Sequence, residues 1–250
     1  MSRTGLLIAL VIAAVVGLVF GLRPDFDLAI SAAFYDPILK KFPLDTAAPV
    51  QSLRHGAEWV TILIVTFILL TLALKLIAPQ RKMLIPGRAA IFFLAALVLG
   101  PGLLVNGILK AEWPRPRPNE VTQFGSVERF VAWWDPRSTC QHNCSFVSGE
   151  ASSAFLMLVP ASLVPPPWSG LAYAGAILYG LAVGGLRIVM GAHFFTDVIF
   201  AGVFTFLLVW LLHGLIYRWP RTRLSEEGIE RRLEGFARNL RKLGSRSPRA

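Results

Sequence analysis

Residues Ala151 to Leu186 contain no Asp, Glu, Lys or Arg, and the same holds for Leu6–Leu22, Trp59–Leu74, Ala89–Leu109 and Val198–Tyr217. Crossing about 30 Å of hydrocarbon takes roughly 20 apolar residues. The longest run has room for two crossings, and "VPPPWSG" (Val164 to Gly170) interrupts it with three consecutive prolines, which end helices. Six spans are therefore expected, over about 5–22, 57–78, 88–110, 149–165, 169–189 and 194–217. Any single run would suit a buried core helix. Together they leave too little polar surface to cover a globule, because only 16% of residues are charged and 54% are hydrophobic, against about a quarter charged in soluble domains. The fold class is all-α, a polytopic membrane protein. No small-x-small cleavage site follows Leu22, so the first run is expected to be a retained anchor.

The net charge of +10 is unevenly placed. Residues 218–249 hold ten Lys or Arg against four Glu. Such a balance can suit nucleic acid, but beside membrane spans it suits orientation, since Lys and Arg favour the cytoplasmic side. No nucleic-acid partner is expected. Both termini are assigned to the cytoplasm. Residues 23–56, 111–148 and about 190–193 then fall outside. The tail repeats Ile229, Leu233, Phe236, Leu240 and Leu243 at steps of four and three, with Ser225 as N-cap and basic residues beside the stripe. It is expected to form a basic amphipathic helix on the anionic inner leaflet. The domain boundaries are 1–217 for the membrane unit, with its core at 57–217, and 218–250 for the tail.

The only cysteines, Cys140 and Cys144, lie in the largest outer connection. Disulfides persist in oxidising compartments, so this C-x3-C pair is a candidate small ring. Two free thiols are the alternative; a structural zinc site wants four ligands, and His142 is the only other soft one nearby. Around "DLAISAAFYDP" (Asp27 to Pro37) a short helix is expected, with Leu28, Ile30, Phe34 and Tyr35 at the lipid interface.

Ionisable residues cluster where spans meet the outer face. Lys110 ends the third span and Arg115 and Arg117 follow; Ser148, Gly149 and Glu150 open the fourth; Arg187 ends the fifth; His193 and Asp197 open the sixth. Singly these have ordinary uses, as snorkelling anchors or as a pair capping a helix. Jointly, three fixed cations suit an anion with several oxygens, and guanidinium forks match phosphate. Backbone N–H groups at Ser148 and Gly149 would add to them. An aspartate one turn from a histidine can fix its tautomer and stabilise its cation, and an imidazole so held can attack phosphorus.

These residues carry a resemblance. Lys110 to Pro118 reads K-x6-R-P, Arg187, His193 and Asp197 read R-x5-H-x3-D, and Ser148-Gly149 lies between. This resembles the three-part signature of the type 2 phosphatidic acid phosphatase superfamily, over about residues 57–217. The resemblance implies six spans and a metal-free, cofactor-free lipid phosphatase with its site at the periplasmic face. It implies Lys110, Arg117 and Arg187 as phosphate clamps, Ser148 and Gly149 as donors, His193 as the nucleophile that becomes a phosphohistidine, and Asp197 as its orienter. Within the superfamily, "DLAISAAFYDP" and Glu150 look similar to bacterial lipid A phosphatases, with other lipid phosphates left open.

The chain departs from the family pattern at Val147, Glu150 and Leu186, where proline, histidine and serine are usual. The missing histidine is the family's general acid, a role worth about a hundredfold to ten-thousandfold in rate. Glu150 is one candidate replacement and His142, from the cysteine loop, another; a leaving group needing no proton is a third solution. Alternatives to hydrolysis are phosphotransfer from undecaprenyl pyrophosphate and a non-catalytic lipid-phosphate-binding or transport protein. The oligomeric state is left open.

Overall fold

In the computed structural model, which describes residues 1–138, 140 and 143–244, the Ser2 hydroxyl accepts a hydrogen bond from the Gly5 N–H at 3.0 Å. That cap opens α1 (Arg3–Leu22). Then follow α2 (Asp25–Ala32), α3 (Ala48–Ile77) and α4 (Gly87–Glu112). Two short pieces come next, α5 (Gly149–Phe155) and α6 (Leu158–Ala161). The chain ends with α7 (Ser169–Val189), α8 (Phe195–Arg218) and α9 (Glu226–Gly244). Five of these, α1, α3, α4, α7 and α8, are long and apolar enough to cross a membrane.

The fourth expected span, 149–165, is the exception to six continuous helices. It is helical at Gly149–Phe155 and Leu158–Ala161 with a turn between. Pro160 explains the break: it has no N–H to give the Leu156 carbonyl and its ring crowds that carbonyl. The carbonyl instead accepts the Val159 N–H at 2.9 Å in a tighter turn. This segment sits at the centre of the bundle, and Ala151, Leu156, Leu158 and Val159 are buried. A second proline, Pro101, lies inside α4, where Val98–Leu109 widens into π-helical turns. Wider turns absorb a missing i→i−4 bond, and they set where Asn106 and Lys110 point.

Contacts give the bundle two ends. At one, the Met1 carbonyl accepts from Arg218 at 3.2 Å, Arg88 donates to the Ile216 carbonyl at 3.0 Å, and Glu226 takes the Gly87 N–H. The tail helix docks there as well. Lys75, buried, meets Glu234 at 2.9 Å, and Ile229 and Ala237 are buried. The tail is therefore partly packed on the protein instead of lying wholly on a lipid surface. The Ser225 hydroxyl accepts from the Gly228 N–H at 3.1 Å, as its cap position requires; residues 245–250 lie outside the described ones.

The other end gathers the starts of α3, α5 and α8 and the ends of α1, α4 and α7. Trp133 and Trp134 donate from their indoles to the Gly17 and Gly21 carbonyls of α1 at 3.2 and 3.3 Å. The expected interfacial helix at residue 27 turns inward: Asp27 and Ser31 are buried, and Phe34 and Tyr35 pack on a small core with Phe42, Phe124 and Phe194. Helix α3 begins at Ala48, nine residues before the expected 57. Pro49 in its first turn is a start signal consistent with this.

Candidate active site

The turn between α7 and α8 sets the centre. The backbone N–H groups of Ala192 and His193 both bond the Arg187 carbonyl, at 3.0 and 3.3 Å, so the two side chains of interest leave one tight turn. Gly191 within it has φ +66°, and a Cβ there would collide with the Phe42 ring. Only glycine fits both demands.

His193 is buried, at 2% exposure. Its Nδ1 lies 2.8 Å from the Ser145 carbonyl oxygen and 3.6 Å from Asp197 Oδ2. Both neighbours only accept, so Nδ1 carries the hydrogen and Nε2 keeps its lone pair. Burial lowers the pKa of the imidazole, against the pull of Asp197, so the ring is neutral below its ordinary range. His193 precedes α8 and is not on its face as the four-residue spacing suggested. Asp197 is in the first turn of α8, where its Oδ2 accepts the Phe194 N–H at 2.8 Å and the Ser145 hydroxyl at 2.5 Å. It caps the helix and faces the imidazole at once.

Arg115 lies against Asp197 and Asp27. It is fully buried, bonded to Asp197 Oδ1 at 2.6 Å, Asp27 Oδ2 at 2.7 Å and the Thr196 hydroxyl at 2.7 Å, and lies 4.3 Å above the Phe194 ring. With its donors so engaged it belongs to the scaffold behind His193.

Lys110, Arg117 and Arg187 lie within electrostatic reach of one another, and Arg117 and Arg187 within reach of His193. The Nε of Arg187 is buried with no hydrogen-bond partner among the described residues. Lys110 Nζ meets Asn143 Oδ1 at 3.2 Å, and Arg117 donates to the Asn143 carbonyl at 3.2 and 3.0 Å. Asn143 lies in the ring closed by the Cys140–Cys144 disulfide. Asn143 thus touches two of the cations. His142 lies outside the described residues.

Ser148 uses its hydroxyl to cap α5, accepting from the Ala151 N–H at 3.3 Å. Gly149 lies against Lys110: a Cβ there would stand 3.3 Å from Nζ. Glu150 accepts three hydrogen bonds of 3.0–3.1 Å from Arg54 and lies 3.5 Å from Arg187 Nε. Two guanidiniums favour the carboxylate over the carboxylic acid. Arg54 was invisible in sequence because 23–56 read as a connection. A cavity of about 390 Å³ opens beside these groups, between α3, α4, α5 and α7, lined by Arg54, Glu58, Asn106, Lys110, Glu150 and Ser153 among others. Among the described residues, no group of three or more His, Cys, Asp or Glu is placed to hold a metal ion.

A neutral imidazole with Arg117 and Arg187 within electrostatic reach, and Lys110 within reach of both, has the charge to suit a tetrahedral oxyanion. The PAP2 superfamily model matches residues 87–223, which contain Lys110, Arg117, Glu150, Arg187, His193 and Asp197. The chain belongs to the PAP2 superfamily. Among relatives, the Lipid A 4'-phosphatase of Francisella tularensis subsp. novicida (strain U112) is 33% identical over 220 residues, 87% of this chain and 98% of the relative. The Lipid A 4'-phosphatase of Rhizobium etli (strain ATCC 51251 / DSM 11541 / JCM 21823 / NBRC 15573 / CFN 42) is 41% identical over 113 residues, 42% of this chain and 41% of the relative. That of Rhizobium leguminosarum is 37% identical over 106 residues, 42% of this chain and 46% of the relative. No solved structure matches the chain significantly. The PAP2 match begins at α4, so α1–α3 lie outside it.

Proposed function

We propose that this PAP2 protein is a membrane-embedded lipid phosphate phosphatase acting on lipid A or a closely similar phosphorylated lipid, through a phosphohistidine at His193. The observation that carries the reading is the imidazole itself, with Nδ1 facing the Ser145 carbonyl at 2.8 Å and Asp197 at 3.6 Å, so that Nε2 is free for phosphorus. The name and near-full-length match of the Francisella relative support the substrate.

In the proposed sequence, the lipid phosphate enters from the cavity beside α3. It takes the Arg187 Nε–H from its long contact with Glu150 and bonds Lys110 and Arg117. His193 Nε2 attacks phosphorus as the ester P–O bond breaks. A monoanionic ester carries one proton on a phosphoryl oxygen, and Glu150, held as a carboxylate by Arg54, relays it to the departing alkoxide. Water then attacks the phosphohistidine and gives a proton to Glu150; the N–P bond breaks, Glu150 passes that proton to the departing phosphate, and inorganic phosphate, neutral His193 and the Glu150 carboxylate are restored. A relay suits the ion-paired state of Glu150 better than donation from a resting carboxylic acid.

The broken α5–α6 segment is proposed as the sixth crossing. An even number of crossings puts both termini on one side, and their Lys and Arg assign that side to the cytoplasm. The catalytic end then faces the periplasm, in keeping with a disulfide beside it. The test is release of inorganic phosphate from lipid A in detergent micelles. The wild type should release it and His193→Ala should not; equal release by both would end the reading.

A further inference from the structure

Helix α2 lies outside the matched family segment, yet it delivers a carboxylate to the back of the catalytic centre. Asp27 is 1% exposed. Its Oδ2 accepts from Arg115 at 2.7 Å and from the Thr196 hydroxyl at 2.6 Å, and its Oδ1 accepts from the Thr196 N–H at 3.1 Å. Burial, with the charge of Asp197, raises the pKa of this carboxyl above its ordinary value, against the pull of Arg115 and Thr196. The ionised form is assigned from the partners, because Arg115 and the Thr196 N–H only donate and each faces one of its oxygens.

Asp27, Arg115 and Asp197 therefore form a chain of minus, plus and minus charges closed off from water, with Asp197 next to His193. Their sum is one negative charge. Asp197 and Arg115 alone would sum to zero. The distinction matters when Nε2 attacks phosphorus, because the ring then gains positive charge inside a poorly screened interior, where each nearby unit charge counts for far more than in water.

We propose that Asp27 is a positioning residue for phosphoryl transfer, offsetting the charge of Arg115 so that Asp197 remains an effective partner for the imidazole of His193. The N-terminal segment is then part of the catalytic apparatus as well as an anchor. The proposal rests on the phosphatase reading above. It differs from a purely structural role for the network because it predicts a change in the titration of His193. The charged groups that face His193 are Asp197 on α8, Arg187 on α7, Glu150 on α5 and Arg117 from the loop after α4, and none of them is altered by a change at residue 27.

The test compares full-length wild type, Asp27→Asn and the double variant Asp27→Asn/Arg115→Gln on one lipid phosphate in micelles. The asparagine keeps the shape and removes one charge; the double variant restores the net charge to minus one. Asp27→Asn is expected to lower kcat on the order of tenfold to a hundredfold, with KM within about twofold. The acid limb of its kcat/KM profile should move down by about one pH unit, because the imidazolium has lost support. Per folded molecule, the double variant should be faster than Asp27→Asn. An unmoved acid limb, a loss that only tracks the folded fraction, or a double variant slower than the single one would each overturn the proposal. No phosphate release by wild type from any lipid phosphate would instead sink the phosphatase reading on which it depends.

Discussion

Truncating Arg187 to alanine removes the guanidinium whose Nε is buried without a hydrogen-bond partner among the described residues. A bound phosphate would take two N–H bonds from that fork. Each charge-assisted bond contributes about 1.5–3 kcal/mol, so the pair is worth about 3–6 kcal/mol. At 1.36 kcal/mol per factor of ten, kcat/KM should fall by about two to four orders of magnitude. Arg187→Lys keeps the charge and loses the fork, and should recover roughly half of that free energy. Stability should respond differently. Lys110, Arg54 and Arg117 all repel Arg187, while Asp45 attracts it weakly and Glu150 attracts it across a 3.5 Å contact that Arg54 already supplies more tightly. Removing one cation from such a cluster should leave the thermal midpoint in detergent unchanged or raised. The assay is phosphate release over a range of lipid concentrations, paired with thermal unfolding of the same preparations. A loss of kcat/KM under about threefold, or a loss matched by a drop in the unfolding midpoint, would refute the argument that Arg187 is held ready for an anion.

Glu150→Gln should lower kcat about a hundredfold or more with a smaller effect on KM, because the amide cannot relay a proton; a variant as fast as wild type excludes Glu150 from proton transfer. The pH profile of kcat/KM should keep its activity below pH 6.5, since burial lowers the pKa of His193 and only the neutral ring attacks; an acid limb centred above 6.5 contradicts this. The same profile should fall on the alkaline side as the substrate phosphate loses its second proton, near pH 6–7, and a plateau extending to pH 9 would exclude the substrate proton from the mechanism. Gly191→Val should cost about 1–3 kcal/mol from its positive φ alone and more from collision with Phe42, read as a lower unfolding midpoint; an unchanged midpoint would show the turn to be more pliant than described.

The spans and the two flanking motifs were legible because apolar runs and fixed spacings are local properties of the chain. K-x6-R-P and R-x5-H-x3-D carry their residues within a few turns of each other, so recognising either needs no tertiary information. The groups that sequence reading missed come from far away. Arg54 meets Glu150 across 96 residues and Asp27 meets Thr196 across 169. Asp27 sits in "DFDLAISA", which reads as an interfacial helix because its apolar residues dominate and its buried partner, Arg115, lies 88 residues on. Ser145 contributes a carbonyl, a group every residue has, so no side-chain pattern marks it. Arg115 and Arg117 are alike in "RPR", and only the turn of the backbone sends one behind the imidazole and the other beside it. The break in the fourth expected segment follows from Pro160, a single proline inside an otherwise apolar run.

The proposed phosphoryl transfer passes through a covalent intermediate at one nitrogen. Purified protein mixed with a lipid bearing radiolabelled phosphate, stopped in alkali within the first turnover and mapped by mass spectrometry, should carry the label on a peptide containing phosphorylated His193, and the His193→Ala protein should carry none. Label on a different residue, or steady turnover with no labelled protein at any time, would contradict it.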